Sequence, residues 1–211
     1  LADLTDPFVL PGMEKAVDLI LQHIEQGSSI LVYGDYDVDG VTATALMIRV
    51  LSELGAVASP FLPHRIEDGY GLGVETLHRC VETFRPNLIV TVDCGTSSVE
   101  AVREAARPGI DVVVTDHHEP AAEGVAEACA VVNPKLGNCP EEIRMLAGVG
   151  VAFKVCHGLV KAARQRKLEA AEKLDLKSYM ELVAVGTVAD IVPLLKENRI
   201  LVYHGLQLLN K

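Results

Sequence analysis

The sequence predicts an α/β fold: a doubly wound, mainly parallel five-stranded sheet with helices on both faces, followed by a C-terminal helical segment. Three observations predict it. Short runs rich in Val and Ile alternate along the chain with longer segments of helical periodicity. The short runs are mostly apolar and do not alternate with charged residues, which is typical of parallel strands covered by helices on both faces. The 211 residues, 49% of them hydrophobic, suffice to bury such a core.

The five predicted strands are apolar runs bounded by turn-forming residues. They span residues 28–33, 57–62, 88–92, 112–115 and 130–132. Helical periodicity fills the intervals, and two more helices flank a loop near the C-terminal end. The predicted helices span about residues 13–26, 41–51, 74–84, 97–106, 149–164, 178–185 and 196–209. Charged side chains crowd residues 161–177, which we interpret as a solvated helix or connector in preference to a binding patch.

The composition excludes several classes of protein. Lys and Arg number 19 against 29 Asp and Glu, and the net charge of -10 excludes a basic, self-sufficient nucleic-acid binder. Trp is absent and aromatic residues make up 4% of the chain, so few side chains are available to stack on nucleic-acid bases. No apolar run approaches the ~20 residues of a membrane span. The five cysteines lack C-x-x-C spacing, and we expect free thiols and a cytoplasmic location.

An acidic segment follows the first predicted strand and contains Asp35, Asp37 and Asp39, closed by Gly40. Carboxylates at alternating positions also open an EF-hand loop, but the last position of that loop, which needs a bidentate Glu, would be Leu46. A phosphate-cradling loop is excluded as well, because three carboxylates would repel phosphate. For this segment taken alone, a metal site and a solvated turn both remain open.

Two further polar clusters come directly after predicted strands. Asp93 follows the third strand, and Asp116, His117 and His118 follow the fourth. Because the carboxyl ends of parallel strands share one edge of the sheet, all three clusters should meet there. Crowded carboxylates repel one another unless cations neutralise them, and oxygen ligands with one or two imidazoles suit Mn²⁺ or Mg²⁺. Two such cations about 4 Å apart are a usual apparatus for phosphoester hydrolysis.

In combination these segments resemble the DHH phosphoesterase family and, within it, the bacterial single-strand-specific DNA exonucleases. The resemblance is carried by four motifs: DYDVDG at 35–40, VDCG at 92–95, DHH at 116–118 and GTVADIVPL at 186–194. Supporting matches are DPF at 6–8, LP at 10–11, PHRIEDGYGL at 63–72 and LAGVG at 146–150. The matches follow the family's order over essentially the whole chain.

The resemblance implies a metal-binding set of five side chains. They are Asp35, Asp37, Asp93, His117 and Asp190. Asp93 would bridge two ions, Mn²⁺ or Mg²⁺. Many relatives carry His just ahead of the first motif Asp, whereas this sequence has Tyr33 two residues before it. We therefore expect one ion to be held weakly, or to be completed by water and substrate.

The resemblance also assigns residues around the metals. His118 would contact the scissile phosphate and assist the leaving oxygen, and Asp116 would orient the two histidines. Asp39 would support the motif loop from behind the ligands, or serve only as its turn residue. Arg65 would bind a substrate phosphate, a task that suits the planar guanidinium group.

The implied function is metal-dependent phosphodiester hydrolysis by a 5′→3′ exonuclease that releases 5′-mononucleotides from single-stranded DNA in repair and recombination. The alternatives are an oligoribonuclease or cyclic-dinucleotide phosphodiesterase of the same family, and a non-catalytic DHH-like binding module.

We expect the chain to be a fragment of a longer protein. Residues 1–195 would form the catalytic domain, and residues 196–211 would begin a helix leading to a second domain. The expected partners are single-stranded DNA, held tightly only with the help of domains outside this chain, and DNA-repair and single-strand-binding proteins. No membrane partner is expected.

Overall fold

The computed structural model describes residues 4–69, 71–122 and 124–210. The strands in these ranges are β1 (Ser29–Gly34), β2 (Val57–Phe61), β3 (Leu88–Val92), β4 (Asp111–Thr115) and β5 (Ala130–Val132). They form one sheet in the order β2-β1-β3-β4-β5, and every pairing in it is parallel. The predicted fold class is confirmed, and each predicted strand is present with its ends displaced by at most one residue.

Helices connect the strands and follow the last of them. They are α1 (Met13–Glu25), α2 (Val38–Glu53), α3 (Val74–Phe84), α4 (Val99–Ala106), α5 (Glu141–Arg144), α6 (Gly148–Gln165), α7 (Glu169–Glu172), α8 (Met180–Ala189) and α9 (Lys196–Leu209). Short 3-10 turns lie at Pro7–Val9 and Leu176–Tyr179. The four-residue helices α5 and α7 are too short to show a period and were not predicted. The helix predicted at 178–185 is α8, which starts two residues later and continues to Ala189.

The helices cover both faces of the sheet, as a doubly wound fold requires. Successive strand residues point to opposite faces. Ile30 and Val32 of β1 therefore enter a larger core with α1, α2 and α6. Leu31 and Tyr33 enter a smaller core with α3 and α4.

The charged segment 161–177 comprises the end of α6, α7 and the turn after it. Its charged side chains are exposed or half-buried, as predicted, whereas Ala171 and Leu174 are buried. Arg164 donates from Nε to the Ala171 carbonyl at 3.1 Å and from Nη2 to the Leu174 carbonyl at 2.8 Å. The segment is thus a solvated connector that is fastened to α6.

The start of α9 is anchored in the interior. Lys154 Nζ lies 2.6 Å from the carboxylate of Glu197, and both side chains are almost completely buried. Asn198 donates to the Met145 carbonyl at 2.6 Å. Glu197 and Asn198 therefore fix α9 to the rest of the described chain.

The structure also tests the expectations about membranes and thiols. In the described ranges, no helix has the length and apolar character needed to cross a membrane. All five cysteines are free thiols, as expected. Burial raises the pKa of Cys94, which follows Asp93, so this thiol is not a ready nucleophile.

Candidate metal centre

The carboxyl ends of β1, β3 and β4 lie side by side in the middle of the sheet. Asp35 follows β1, and its carboxylate accepts the Tyr36 backbone N–H at 2.8 Å. Asp37 caps α2 by accepting the Gly40 N–H at 2.9 Å. Gly40 is required, because a Cβ there would lie 2.5 to 2.7 Å from backbone atoms of Asp35. This tight turn leaves oxygens of Asp35 and Asp37 within 4.8 Å of each other and of an Asp93 oxygen.

Asp39 is buried and joins α2 to the beginning of α6. Its two carboxylate oxygens accept the backbone N–H groups of Gly148 at 2.6 Å and Val149 at 2.8 Å. These are among the first N–H groups of a helix, which have no partner within the helix itself. Asp39 Oδ2 also lies 3.9 Å from Nε2 of His117, so its carboxylate borders the metal-binding cluster.

Asp93 lies at the centre of the site. Its backbone has a φ of 62°, in the left-handed region, directly after β3. Gly148 gives its carboxylate room, because a Cβ at that position would lie 2.2 Å from Asp93 Oδ1. His117 follows β4 and places Nε2 3.1 Å from the same oxygen.

Asp190 reaches the cluster from the C-terminal end of α8, with its Oδ2 3.8 Å from His117 Nε2. Close packing of α8 on α2 makes this possible. A Cβ on Gly186 would lie 2.2 Å from Thr42 Oγ1, so only glycine allows this approach. The fourth motif thus contributes both a candidate ligand, Asp190, and the glycine that lets α8 approach α2.

Asp116 and His118 form a pair beside the cluster. His118 Nδ1 donates to Asp116 Oδ1 at 2.7 Å. The same oxygen accepts the backbone N–H groups of His117 at 2.7 Å and His118 at 3.1 Å, while Oδ2 accepts that of Thr96 at 2.9 Å. Asp116 therefore fixes the histidine segment, and the two histidine rings lie 4.3 Å apart.

Three buried atoms at the centre of the site have no hydrogen-bond partner among the described residues. They are Asp93 Oδ1, His117 Nε2 and Asp190 Oδ2. Buried polar atoms are normally satisfied, so three that face one another require an explanation. Two carboxylate oxygens and an imidazole nitrogen are suitable ligands for a divalent cation. Ligand atoms of Asp35, Asp37 and Asp93 form one candidate group, and those of Asp39, His117 and Asp190 form another. Because His117 Nε2 lies 3.1 Å from Asp93 Oδ1, Asp93 borders both groups, and the residues fit two cations with Asp93 between them.

The electrostatics of the carboxylates agree with this fit. Burial, reinforced by the charges of Asp39 and Asp37, raises the pKa of Asp93 to about 10. Burial also raises the pKa of Asp39 to about 6, and it raises the pKa values of Asp35 and Asp190. The cluster therefore resists holding several negative charges by itself, and cations would relieve the repulsion.

The surroundings shift the pKa values of the two histidines in opposite directions. Burial, together with the neighbouring His118, lowers the pKa of His117, which favours the neutral imidazole that binds metals. The hydrogen bond to Asp116 raises the pKa of His118 to about 9. Burial would raise the pKa of Asp116, but its hydrogen bonds from His118 and Thr96 prevail and lower it. The hydrogen bond between His118 and Asp116 therefore favours a protonated imidazole beside an ionised carboxylate.

Two of the sequence-selected residues lie outside the cluster. Arg65 is exposed, with its guanidinium 5.4 Å from the centre of the Tyr36 ring. Tyr33 is fully buried in the smaller core, where it stacks on Phe61 and donates to the Gly71 carbonyl at 3.0 Å. Its side chain therefore does not replace a histidine ligand. Tyr70, in the supporting run at 63–72, lies outside the described residues.

Three residues that contribute to the site were not predicted as site residues, although Gly148 lies in the supporting match at 146–150. Gly148 makes room for Asp93, Thr96 donates to Asp116, and Asn133 donates to the His118 carbonyl at 2.9 Å. Asn133 directly follows β5, so the rule that selected residues at strand ends could have found it. The contribution of Gly148 depends on a contact with Asp93, far away in sequence, and leaves no local signal.

Comparison with known proteins identifies the family to which these motifs belong. A model of the DHH family, N-terminal domain, matches residues 29–187. The single-stranded-DNA-specific exonuclease RecJ of Bacillus subtilis is 41% identical over 210 residues, which cover 100% of this chain and 25% of that protein. RecJ of Haemophilus influenzae is 40% identical over 208 residues, which cover 98% of this chain and 36% of that protein.

Solved structures agree with the sequence comparison. The crystal structure of exonuclease RecJ bound to manganese has a TM-score of 0.84 at 38% identity, covering 98% of this chain and 49% of that one. RecJ in complex with Mn²⁺ from Thermus thermophilus has a TM-score of 0.77 at 36% identity, covering 94% and 27%. The chain spans between 25% and 36% of the length of the curated RecJ relatives it matches. Because the family match extends from β1 to α8 and contains the first three motifs entire, the chain belongs to the DHH family.

Proposed function

We propose that the protein hydrolyses phosphodiester bonds with two divalent cations, Mn²⁺ or Mg²⁺, at the candidate metal centre. The observation that carries this proposal is the convergence of three unsatisfied buried atoms, Asp93 Oδ1, His117 Nε2 and Asp190 Oδ2. Burying ionised groups without partners is costly, and cations offset that cost. The manganese in two RecJ structures supports this choice of ion.

Five side chains would hold the cations. Asp35, Asp37 and Asp93 would bind one, and Asp93, His117 and Asp190 the other. When bound, the cations would offset negative charge on the phosphate and so favour attack by water on phosphorus. The chain contributes the fixed positions of these ligands, which are set by the strand ends and by α8.

Asp39 would support this arrangement without being a ligand. By accepting the N–H groups of Gly148 and Val149, it holds the start of α6 against Asp93. The position of the bridging carboxylate therefore depends on Asp39, as ligand positions in metal sites commonly depend on the residues behind them.

His118 and Asp116 would be the catalytic pair. An imidazolium has no lone pair for a metal, but it can donate a proton. We therefore assign His118 to the leaving oxygen, although one of its ring nitrogens lies within 4.8 Å of ligand atoms of Asp93 and His117. As the new bond to phosphorus forms, the bond to the leaving oxygen would break, and that oxygen would take the proton from His118.

Arg65 would bind a phosphate of the substrate. Its guanidinium lies over the ring of Tyr36, which is situated between Asp35 and Asp37 in the sequence. The positive charge of Arg65 therefore lies next to the loop that carries Asp35 and Asp37, and it remains exposed to solvent. A guanidinium matches the geometry of phosphate oxygens and supplies positive charge in an acidic chain.

We further propose that the substrate is single-stranded DNA, degraded 5′→3′ to 5′-mononucleotides in DNA repair and recombination. The relatives at 41% and 40% identity are single-stranded-DNA-specific exonucleases, which supports this substrate. DNA-repair and single-strand-binding proteins are the proposed partners. The proposed location is the cytoplasm, where the five free thiols would stay reduced.

Residues 1–195 are proposed to be the catalytic domain, and residues 196–211 the start of a helix that continues into a second domain. Two observations support this division. The chain covers 25% of the Bacillus subtilis relative. In addition, the second half of α9 exposes Tyr203, Leu206 and Leu209, apolar side chains that are available for contacts with a further part of the protein.

The experiment that tests the proposal is digestion of single strands labelled at the 5′ or the 3′ end by the full-length protein in Mn²⁺. The 5′ label should appear at once in a mononucleotide, whereas the 3′-labelled strand should shorten progressively. A chelator and Asp93→Ala should each abolish hydrolysis, and Asp18→Ala, at an exposed carboxylate on α1, should not. Full activity of Asp93→Ala would refute the two-cation site.

A further inference from the structure

Asn133 is fully buried beside the catalytic pair and makes three hydrogen bonds. Its Nδ2 donates to Thr96 Oγ1 at 2.8 Å and to the His118 carbonyl at 2.9 Å. Its Oδ1 accepts the Lys135 backbone N–H at 2.8 Å. With both donors and its acceptor engaged, the amide has one orientation, and a residue of any other shape would leave buried groups unpaired.

These bonds reach both members of the catalytic pair. The backbone N–H of Thr96, whose hydroxyl accepts from Asn133, donates to Asp116 Oδ2 at 2.9 Å. Asp116 Oδ1 in turn accepts from His118 Nδ1 at 2.7 Å. Asn133 thus contacts the residue that holds Asp116 and also holds the main chain of His118 directly. Within the described ranges, none of its hydrogen bonds goes to the side chain of a proposed metal ligand.

We infer that Asn133 is a positioning residue for the catalytic pair, fixing the direction in which the His118 imidazole faces the leaving oxygen. The inference rests on the proposed function. A small displacement of a proton donor can cost about hundredfold in rate, because proton transfer needs close and aligned atoms. Loss of Asn133 should therefore slow bond cleavage without weakening cation binding.

The decisive measurement compares two substrates of the full-length enzyme. In single-stranded DNA the leaving group is an alkoxide oxygen that must be protonated. In the p-nitrophenyl ester of thymidine 5′-monophosphate, the leaving nitrophenolate is stable without a proton. A residue that acts only by aiming His118 should matter for the first substrate and much less for the second.

Four variants separate positioning from general support of the fold. Asn133→Ala removes both donors. Thr96→Val removes the hydroxyl that accepts from Asn133 and also hydrogen-bonds Asp116, while the backbone N–H to Asp116 remains. Thr96→Ser restores the hydroxyl and should restore the rate. Asn198→Ala is the matched control, because Asn198 is also buried and donates twice from Nδ2, to the carbonyls of Met145 at 2.6 Å and Pro193 at 3.1 Å.

For Asn133→Ala we expect kcat on DNA to fall about hundredfold, with KM and Mn²⁺ affinity within about threefold of the wild type. The rate on the nitrophenyl ester should fall less than about fivefold. Asn198→Ala should show no such difference between the substrates. If Asn133→Ala does not fold, Thr96→Val and its recovery in Thr96→Ser decide the question by the same comparison.

Equal losses on both substrates would show that Asn133 only supports the fold, and a parallel loss of Mn²⁺ affinity would assign it to the metal centre. Either result overturns the inference while leaving the proposed function intact. If the wild-type enzyme hydrolyses neither substrate in Mn²⁺, the proposed function fails, and the inference fails with it.

Discussion

Two residues at the metal centre have backbone conformations that side chains other than glycine rarely adopt. Asp93 has a φ of 62°, and Ile191, which follows Asp190, has a φ of 60°. Asp tolerates this region better than most residues, whereas for a β-branched side chain it is a genuine outlier. Ile191 is also 88% exposed, so burial of its side chain does not compensate for the strain. The strain is stored next to a proposed metal ligand, as is common at functional sites.

Replacing Ile191 by glycine tests this strain. Ile191→Gly should raise the free energy of unfolding by up to about 1 kcal/mol, because relief of strain exceeds the entropic cost of glycine. Val188→Gly, at an exposed position inside α8, should lower it by about 0.5 kcal/mol instead. Urea unfolding measures both. Loss of stability in both variants would mean that the conformation of Ile191 carries no strain.

His117 and His118 should respond differently to truncation. His117→Ala removes a ligand atom 3.1 Å from Asp93 Oδ1 and should weaken Mn²⁺ binding at least about tenfold. His118→Ala should leave Mn²⁺ affinity nearly unchanged while reducing turnover by about 10²- to 10⁴-fold, the usual range for a general acid. Calorimetric titration with Mn²⁺ distinguishes them, and equal losses of affinity would contradict the division of roles.

The raised carboxyl pKa values predict how stability depends on pH. The pKa of Asp39 is raised to about 6 and that of Asp93 to about 10, above the ~3.9 of an unfolded chain. Such groups stabilise the fold when protonated, so their contribution is lost as pH rises through the folded pKa.

Without divalent cations, the melting temperature should therefore fall between about pH 5 and pH 8, and Mn²⁺ should reduce the fall by binding the ionised carboxylates. Asp93→Asn, which cannot ionise, is the control and should show a weaker pH dependence. A melting temperature that rises over this range in chelator would contradict the assignment.

At the scale of secondary-structure elements, the features that depend on the local sequence pattern could be predicted. The apolar runs of β1, β3 and β4 gave the sheet, and the polar residues directly after them identified the edge where the site forms. The helices α5 and α7 were missed because four residues show no periodicity. The bonds from Asp39 to α6 could not be foreseen, because the partners are 109 and 110 residues away.

The link between α2 and α6 can be measured as stability. Asp39→Ala would leave two buried N–H groups at the start of α6 unpaired, and it should lower the free energy of unfolding by about 2 to 4 kcal/mol. Asp37→Ala removes an exposed cap of α2 and should cost only about 1 kcal/mol. Chemical denaturation in chelator separates these effects from cation binding. Similar small losses in both variants would show that Asp39 is only a turn residue.

At the scale of the whole molecule, charge limits what these residues can bind. The net charge is -10, and two divalent cations would change it to about -6, still repulsive to a polyanion. Arg65 and the cations supply positive charge only locally. Tight binding of a single strand needs a basic groove and stacked aromatic side chains, and both are sparse in this sequence.

We therefore expect these 211 residues to bind Mn²⁺ but to hold single-stranded DNA weakly and to cleave it slowly. The longer protein should bind it much more tightly. Fluorescence anisotropy of a labelled strand in Mn²⁺ at physiological salt measures the difference. Nanomolar affinity of the 211 residues alone would show that they contain a DNA-binding surface of their own. That result would contradict the argument from net charge.

The residues of the candidate metal centre come from most of the described chain, from Asp35 after β1 to Asp190 at the end of α8. Cations shared through Asp93 would join these distant segments as a cross-link does, closing a loop of about 155 residues, and long closed loops restrict the unfolded chain most. α8 could then not separate from the sheet before the ions leave. A chelator should consequently act on this fold as a reducing agent acts on a disulfide-bonded one, releasing α8 first and opening the chain to proteases from that end.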